Sequence, residues 1–177
     1  MKTLVIVTHP NINQSRINKS WMEAVQSQSN VTVHQLYESY PDFKIDVAKE
    51  QALLTSHDRI ILQFPFYWYS TPSLLKEWFD AVLSYGWAYG EGGDKMRDKQ
   101  LGVAVSTFGP AESYQHTGYN RFTMEELLKP IQATNNLIGT TFMTPFILNG
   151  VMHVSDEQLA QNTAAYVKYV TLQSVTV

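Results

Sequence analysis

The chain has 177 residues, 44% of them hydrophobic and 16% charged, with a net charge of −3 and no cysteine. That length suits one domain, and the apolar share excludes a disordered chain. The weak negative balance excludes a phosphate-neutralising nucleic-acid face, and the missing thiols exclude disulfides, cysteine nucleophiles, iron–sulfur clusters and Cys-type zinc sites together.

No apolar run approaches the roughly 20 residues of a membrane span. The chain enters a strand-like run at Met1–Val7 without a separate apolar leader. The expectation is a single cytoplasmic domain over 1–177. Its unusual number is 12% aromatic residues, with Trp 4 and Tyr 10.

Leu4–Val7 is a short apolar run that ends at the turn-like His9-Pro10-Asn11-Ile12-Asn13. A helix follows over Ser15–Ser27, with Ile17, Trp21, Met22 and Val25 at helical spacing. Val31–Leu36 alternates as a second strand, and Asp46–Ser56 carries Val47, Leu53 and Leu54 as a second helix. Arg59–Phe64 is a third strand stopped by Pro65. Thr71-Pro72 predicts a helix start with Thr71 as N-cap and Pro72 at the first helical position. Leu74, Leu75, Trp78, Phe79, Val82 and Leu83 supply its apolar face. Gly86–Lys99 is a long loop, Leu101–Val105 a fourth strand and Thr140–Leu148 a fifth. Capping-box spacing at Thr123–Glu126 and Ser155–Gln158 opens the remaining two helices. Strands this short and apolar on both faces suit a covered parallel sheet. The alternation predicts an α/β fold, a three-layer doubly wound five-stranded parallel sheet in flavodoxin-like order.

In such a sheet the site lies beyond the carboxyl ends of the strands. After strand one, a polar loop with His9 runs into a helix at Ser15. Free N–H groups and the helix dipole make a phosphate cradle there, with Ser15 and Asn18 as hydrogen-bonding side chains and His9 or Arg16 as charge. Taken alone, the loop reads better as a plain capped helix start with Ser15 as N-cap, because polar loops of this kind are common. It has neither G-x-G-x-x-G nor G-K-[ST], which disfavours dinucleotide and P-loop sites. After strand three come Phe66, Tyr67, Trp68 and Tyr69. Four successive aromatics cannot all face a core, so some line a flat apolar ligand or stand at the surface. After strand four, Ser106-Thr107-Phe108-Gly109 lets backbone approach a ligand, and Tyr114 offers a phenolic donor. By itself that loop reads as a plain connection. Together the three loops specify a flat aromatic ring bearing a phosphate. The scattered His34, His57 and His153 lack the spacing of a helical metal site, and no metal is expected.

These residues carry a family resemblance over nearly the whole chain. His9-Pro10 with Ser15 and Asn18, Tyr40-Pro41-Asp42-Phe43-Lys44-Ile45-Asp46, Trp68-Tyr69-Ser70-Thr71-Pro72 with Leu74-Leu75-Lys76, and Gly86-Trp87-Ala88-Tyr89-Gly90-Glu91-Gly92-Gly93 occur in that order. In this series the chain resembles the flavodoxin-like NAD(P)H:quinone oxidoreductases. The branch is that of the potassium-efflux ancillary subunit and the general stress NAD(P)H oxidoreductases. The resemblance implies non-covalent FMN rather than FAD, and NAD(P)H as co-substrate. It implies transfer to a quinone or similar aromatic acceptor by a ping-pong mechanism. It places phosphate on His9, Ser15 and Asn18, the ring against Phe66, Tyr67, Trp68 and Tyr69, and the pyrimidine end against Ser106, Thr107, Phe108 and Gly109. Tyr114 becomes the catalytic candidate. A homodimer with the site at the subunit boundary is implied, with Gly86–Gly93 reaching the partner or its flavin. The alternative role is an ancillary subunit of a glutathione-gated potassium efflux antiporter in the membrane. Two positions depart from the pattern. Phe108 stands where the family often has glycine, and Asn120 stands six residues after Tyr114 where some relatives place a relay histidine, with His116 out of register.

Overall fold

The structure, a computed structural model, describes residues 1–172. Residues 173–177 of the expected domain lie outside the described residues. The strands are β1 (Thr3–Val7), β2 (Val31–Gln35), β3 (Arg59–Pro65), β4 (Gln100–Ser106), β5 (Thr141–Phe142) and β6 (Phe146–Leu148). The helices are α1 (Arg16–Gln26), α2 (Leu36–Ser39), α3 (Val47–Thr55), α4 (Ser73–Val82), α5 (Met124–Leu127), α6 (Lys129–Ile138) and α7 (Asp156–Thr171). All strand pairs are parallel, in the order β2-β1-β3-β4-β5, with β6 also on β4. The doubly wound, flavodoxin-like order expected from the sequence is therefore present.

Period-two alternation divides the core between two faces. Leu4, Ile6, Ile60, Leu62, Phe64, Val103 and Val105 pack under α3, α4 and α6, while Val5, Val7, Ile61 and Ala104 pack under α1 and α7. At the base of the sheet, the buried Arg59 clamps the end of α7. Its Nη1 and Nη2 donate to the carbonyls of Val170 and Leu172, and its Nε donates to Gln100. The guanidinium thus meets the carbonyl-rich end of a helix, where positive charge is favoured.

Several expected boundaries move. The fifth strand over 140–148 is two pieces, β5 against Gln100–Leu101 and β6 against Ala104–Ser106. Pro145, between them, cannot donate to a ladder. The second strand ends at Gln35, because Leu36 already opens the short α2, which the sequence reading lacked. The helix from Thr123 breaks at Leu128 and restarts as α6. Continuous winding would ask Pro130 for an N–H to the Glu126 carbonyl and press its ring into that oxygen. Thr71 is not the cap of α4. Pro72, extended at φ −56° and ψ 150°, occupies the cap position and gives no side-chain bond. The cap at Ser15 and the boxes at Thr123 and Ser155 form as expected, and Asp46 caps α3 by accepting the Lys49 N–H.

A polar cluster under α3 had no sequence signal. Glu50 has no exposed surface. Its Oε1 accepts the Tyr40 hydroxyl at 2.6 Å and lies 2.9 Å from His34 Nε2, and its Oε2 accepts Trp78 Nε1 at 2.9 Å. Burial pushes the Glu50 carboxyl up, but the hydrogen bonds from His34 and Tyr40, the His34 charge and the Trp78 bond outweigh it and hold the group below its usual value. One carboxylate thereby joins β2, the Tyr40–Asp46 strap, α3 and α4. Replacing Glu50 by Gln should cost about 3 kcal/mol in urea unfolding, because buried donors lose a charged acceptor. A carboxyl with a depressed native value stabilises above its unfolded value. The wild-type advantage over Glu50→Gln should therefore be full above pH 4.5 and shrink as pH falls through the native value.

Candidate functional site

Parallel register brings the ends of β1, β3 and β4 to one edge, where two adjoining cavities open. One, of about 410 Å³, is lined by His9, Gln14, Ser15, Arg16, Ile17, Asn18, Pro65, Phe66, Tyr67, Ser106, Thr107, Phe108, Val151 and Met152. The other, of about 510 Å³, is lined by Phe66, Trp68, Tyr69, Phe108, Gly109, Pro110, Ser113, Tyr114, Tyr119 and Asn120. Phe66 and Phe108 belong to both. Every residue that the sequence reading placed in the site lines one of the two.

The first cavity ends at the N-terminus of α1. Ser15 Oγ accepts the Asn18 N–H at 3.1 Å. Among the described residues, the N–H groups of Arg16 and Ile17 have no protein acceptor. They face the cavity as free donors at the positive end of a helix dipole. His9 completes this end. Its Nδ1 accepts the Asn11 N–H at 3.0 Å, which leaves the proton of the neutral ring on Nε2 as a donor. Burial lowers the His9 pKa, so the ring acts here as a neutral donor. Arg16 is committed elsewhere: its guanidinium binds the Val154 carbonyl and Asp156. Asn18 is 2% exposed, and its Nδ2 donates to Ser106 Oγ at 2.9 Å. It ties the cradle to β4 rather than offering a free amide.

The aromatic loop after β3 folds on itself. Tyr67 and Ser70 exchange both backbone hydrogen bonds, at 3.0 and 2.9 Å, around Trp68 (φ 47°) and Tyr69 (φ 62°). Two successive left-handed residues make a turn that usually carries Asn-Gly. Trp68 and Tyr69 each cost about 1 kcal/mol or more there. Such strain persists where surrounding structure fixes it and clusters at ligand sites. Trp68 projects with 93% of its surface exposed, and Phe66 is half-buried against Tyr69 and Tyr114. Nothing in the residue types signalled this turn, since it holds no glycine.

The loop after β4 is backed by 148–151. Thr107 N donates to the Leu148 carbonyl, Val151 N to Thr107 and Gly150 N to Gly109. Phe108 does not take positive φ, so its departure from the family pattern brings no strain. It stands 75% exposed as an aromatic wall between the cavities. Gly109 leaves room where a Cβ would press to 3.2 Å from the Tyr114 hydroxyl. Burial pushes the Tyr114 phenol up, a Thr107 hydrogen bond opposes it and the nearby Tyr69 adds to it, so Tyr114 stays a protonated donor. His116 does not line either cavity; its Nδ1 lies 3.7 Å from Glu126 on the surface. Asn120 does line the second cavity and accepts the Tyr69 hydroxyl at 3.0 Å. Gln63, also unforeseen, lies buried under the cradle and donates to the Asn18 carbonyl. An internal strand glutamine gives no periodic signal.

The site offers free N–H donors at one end and aromatic faces along its middle, a set that suits an anionic group joined to a flat ring. Among the described residues no helix is long and apolar enough to cross a membrane. Comparison with known proteins agrees with the architecture. The profile of a family described as flavodoxin-like fold matches residues 1–170. The chain is 52% identical over 171 residues to the uncharacterized NAD(P)H oxidoreductase YdeQ of Bacillus subtilis, covering 97% of this chain and 87% of that one. It is 40% identical over 168 residues to the potassium-efflux ancillary protein KefG of Cronobacter sakazakii, covering 95% and 91%. It superposes on general stress protein 14 of Treponema denticola, solved in complex with FMN, with a TM-score of 0.92 and 38% identity over 96% and 98% of the two chains. Strand order, cradle and full-length match together make this chain a member of the flavodoxin-like fold family.

Proposed function

We propose that the protein is an FMN-dependent NAD(P)H oxidoreductase that delivers electrons to quinones or similar flat aromatic acceptors. The observation that carries this reading is the pair of cavities sharing Phe66 and Phe108, one ending in a phosphate cradle and the other lined by aromatic faces and a protonated phenol. The FMN bound by a 38% identical structural neighbour and the NAD(P)H oxidoreductase name of a 52% identical relative support it.

In this reading Ser15, the free N–H groups of Arg16 and Ile17, and His9 Nε2–H hold the phosphate. Asn18 positions that cradle through Ser106. Phe66, Tyr67, Trp68 and Tyr69 line the ring, largely through backbone, and Ser106, Thr107, Phe108 and Gly109 meet its pyrimidine end. Bound there, FMN supplies two-electron transfer between the nicotinamide and the acceptor. The backbone N–H groups of Phe108 and Gly109, which have no protein acceptor among the described residues, would supply oriented donors to the bound ring, while the Thr107 N–H is held by the Leu148 carbonyl. The aromatic walls exclude water from the slot. Tyr114 Oη–H donates to the oxygen that gains charge on the acceptor. One slot that serves donor and acceptor in turn implies ping-pong kinetics.

A homodimer belongs to this reading. Trp68, Phe108 and Tyr119 stand exposed at the mouth of the slot. Gly86–Gly93 follows α4 and precedes β4, so it lies at the amino end of the sheet, away from the chain's own site. The Lys99 Nζ bond to the His57 carbonyl and the Asp98 N–H bond to the Gly139 carbonyl hold the end of that loop there. It can reach a flavin only in another copy. The alternative role, an ancillary subunit of a potassium efflux antiporter, is supported by the 40% identity to KefG and is compatible with the same site.

The purified chain should be yellow, or turn yellow with FMN, and should oxidise NADH or NADPH with menadione as acceptor. Co-purification with an antiporter without such turnover would favour the alternative. Ser15→Ala should weaken FMN about tenfold in a fluorescence titration, since it removes a cap and a phosphate donor together. Tyr114→Phe should lower kcat by about tenfold or more with FMN retained, the loss expected for a donor to developing charge. His9 is already neutral above its ordinary value of 6.5, so FMN affinity should be flat from about pH 7 to 8.

A further inference from the structure

The turn over Tyr67–Ser70 raises a mechanical question. It holds two strained non-glycine residues, yet Trp68 at its tip is nearly naked and cannot be pinned by packing. Among the described residues, one hydrogen bond ties this tip to the opposite wall of the acceptor slot: Tyr69 Oη donates to Asn120 Oδ1 at 3.0 Å.

Asn120 is a firm anchor. Its N–H donates to the Ser113 carbonyl at 3.0 Å, and Gly118 N–H donates to Gln115 at 2.9 Å, so 113–120 doubles back on itself. The reversal is close enough that a Cβ on Gly118 would sit 2.2 Å from the Glu112 carbonyl oxygen. The two other groups that could have bridged the slot are engaged differently. His116 faces Glu126, and Tyr114 is packed against Phe66.

We propose that Asn120 is a positioning residue that latches the aromatic turn through Tyr69 and so sets the width of the slot between Trp68 on one side and Phe108 and Tyr119 on the other. Its specificity consequence concerns flat acceptors. With the latch closed, the walls stand in register to sandwich one planar ring system. With it open, the strained turn relaxes and the sandwich is lost. Asn120 acts through Tyr69 and not by proton transfer, since an amide carries no titratable proton. The inference rests on the second cavity being the acceptor's seat, as proposed above.

The test uses the full chain loaded with FMN, with menadione as acceptor and NADH as donor. Asn120→Ala and Tyr69→Phe should each raise the menadione KM by about fivefold, the effect of one hydrogen bond, with a smaller change in kcat. The double variant should be no worse than the poorer single one, because both remove the same bond. Asn120→Asp keeps an acceptor oxygen for Tyr69 and should return KM to near the wild-type value. An unmoved KM in both single variants, or effects that multiply in the double one, overturns the latch while leaving the oxidoreductase reading intact. Tyr69→Phe changes one exposed oxygen and keeps the fold testable if Asn120→Ala does not fold. A wild-type chain that takes up no FMN overturns both proposals.

Discussion

Gln63 sits near the carboxyl end of β3 with no exposed surface, and two helices share its side-chain amide. Nε2 donates to the Asn18 carbonyl in α1, and Oε1 accepts the Tyr166 hydroxyl from α7. Asn18 in turn donates to Ser106 on β4. A buried amide left unpaired would be costly, so the chain of bonds holds only if sheet, α1 and α7 sit in one register. The N–H groups of the cradle are therefore aimed by a network behind them and not by the loop itself. The site has a rigid floor before any ligand arrives.

The walls above that floor follow a different rule. The aromatic turn is exposed and strained, and its conformation depends on a few hydrogen bonds instead of packing. A slot that admits two substrates in succession needs such a wall, because close-packed interiors do not adjust to different ring systems. The donors along the site share a further property. His9 and Tyr114 are both shifted by burial toward their neutral forms, and Arg16 is neutralised by Asp156. The cradle thus offers an anion a helix dipole and oriented N–H groups, with little formal charge. This arrangement leaves the electrostatics of the bound group to fixed dipoles, which need no reorganisation as charge moves.

Charge is instead buried on the opposite face of the sheet. Glu50 binds His34, Tyr40 and Trp78 and fixes the Tyr40–Asp46 strap, whose Phe43 is held at φ 64° against Tyr37. Both this strap and the Trp68–Tyr69 turn carry non-glycine residues with positive φ. Both stretches also carry the family resemblance. The same α4 that closes over Glu50 through Trp78 begins directly after the aromatic turn, so the two regions share one helix.

Local chemistry made much of this legible in the sequence. Short β-branched runs, capped helix starts and the switch-point rule yielded the sheet order and the three loops that meet at the site, because each depends on neighbours a few residues apart. Those loops contain all the candidate residues that line the two cavities. Only the tertiary structure decided what each side chain does there. Asn18 and Arg16 stand among the polar residues of a helix start, yet one is buried against Ser106 and the other is bound to Asp156, 140 residues away. Gln63, Glu50 and Asn120 carry no periodic signature, since a buried polar group is defined by partners distant in sequence. The left-handed turn at Trp68 and Tyr69 was likewise invisible, because long-range hydrogen bonds there outweigh the intrinsic preference of both residues. Sequence determined which segments come together, and the three-dimensional pairing of their polar atoms determined which of them are left free to bind.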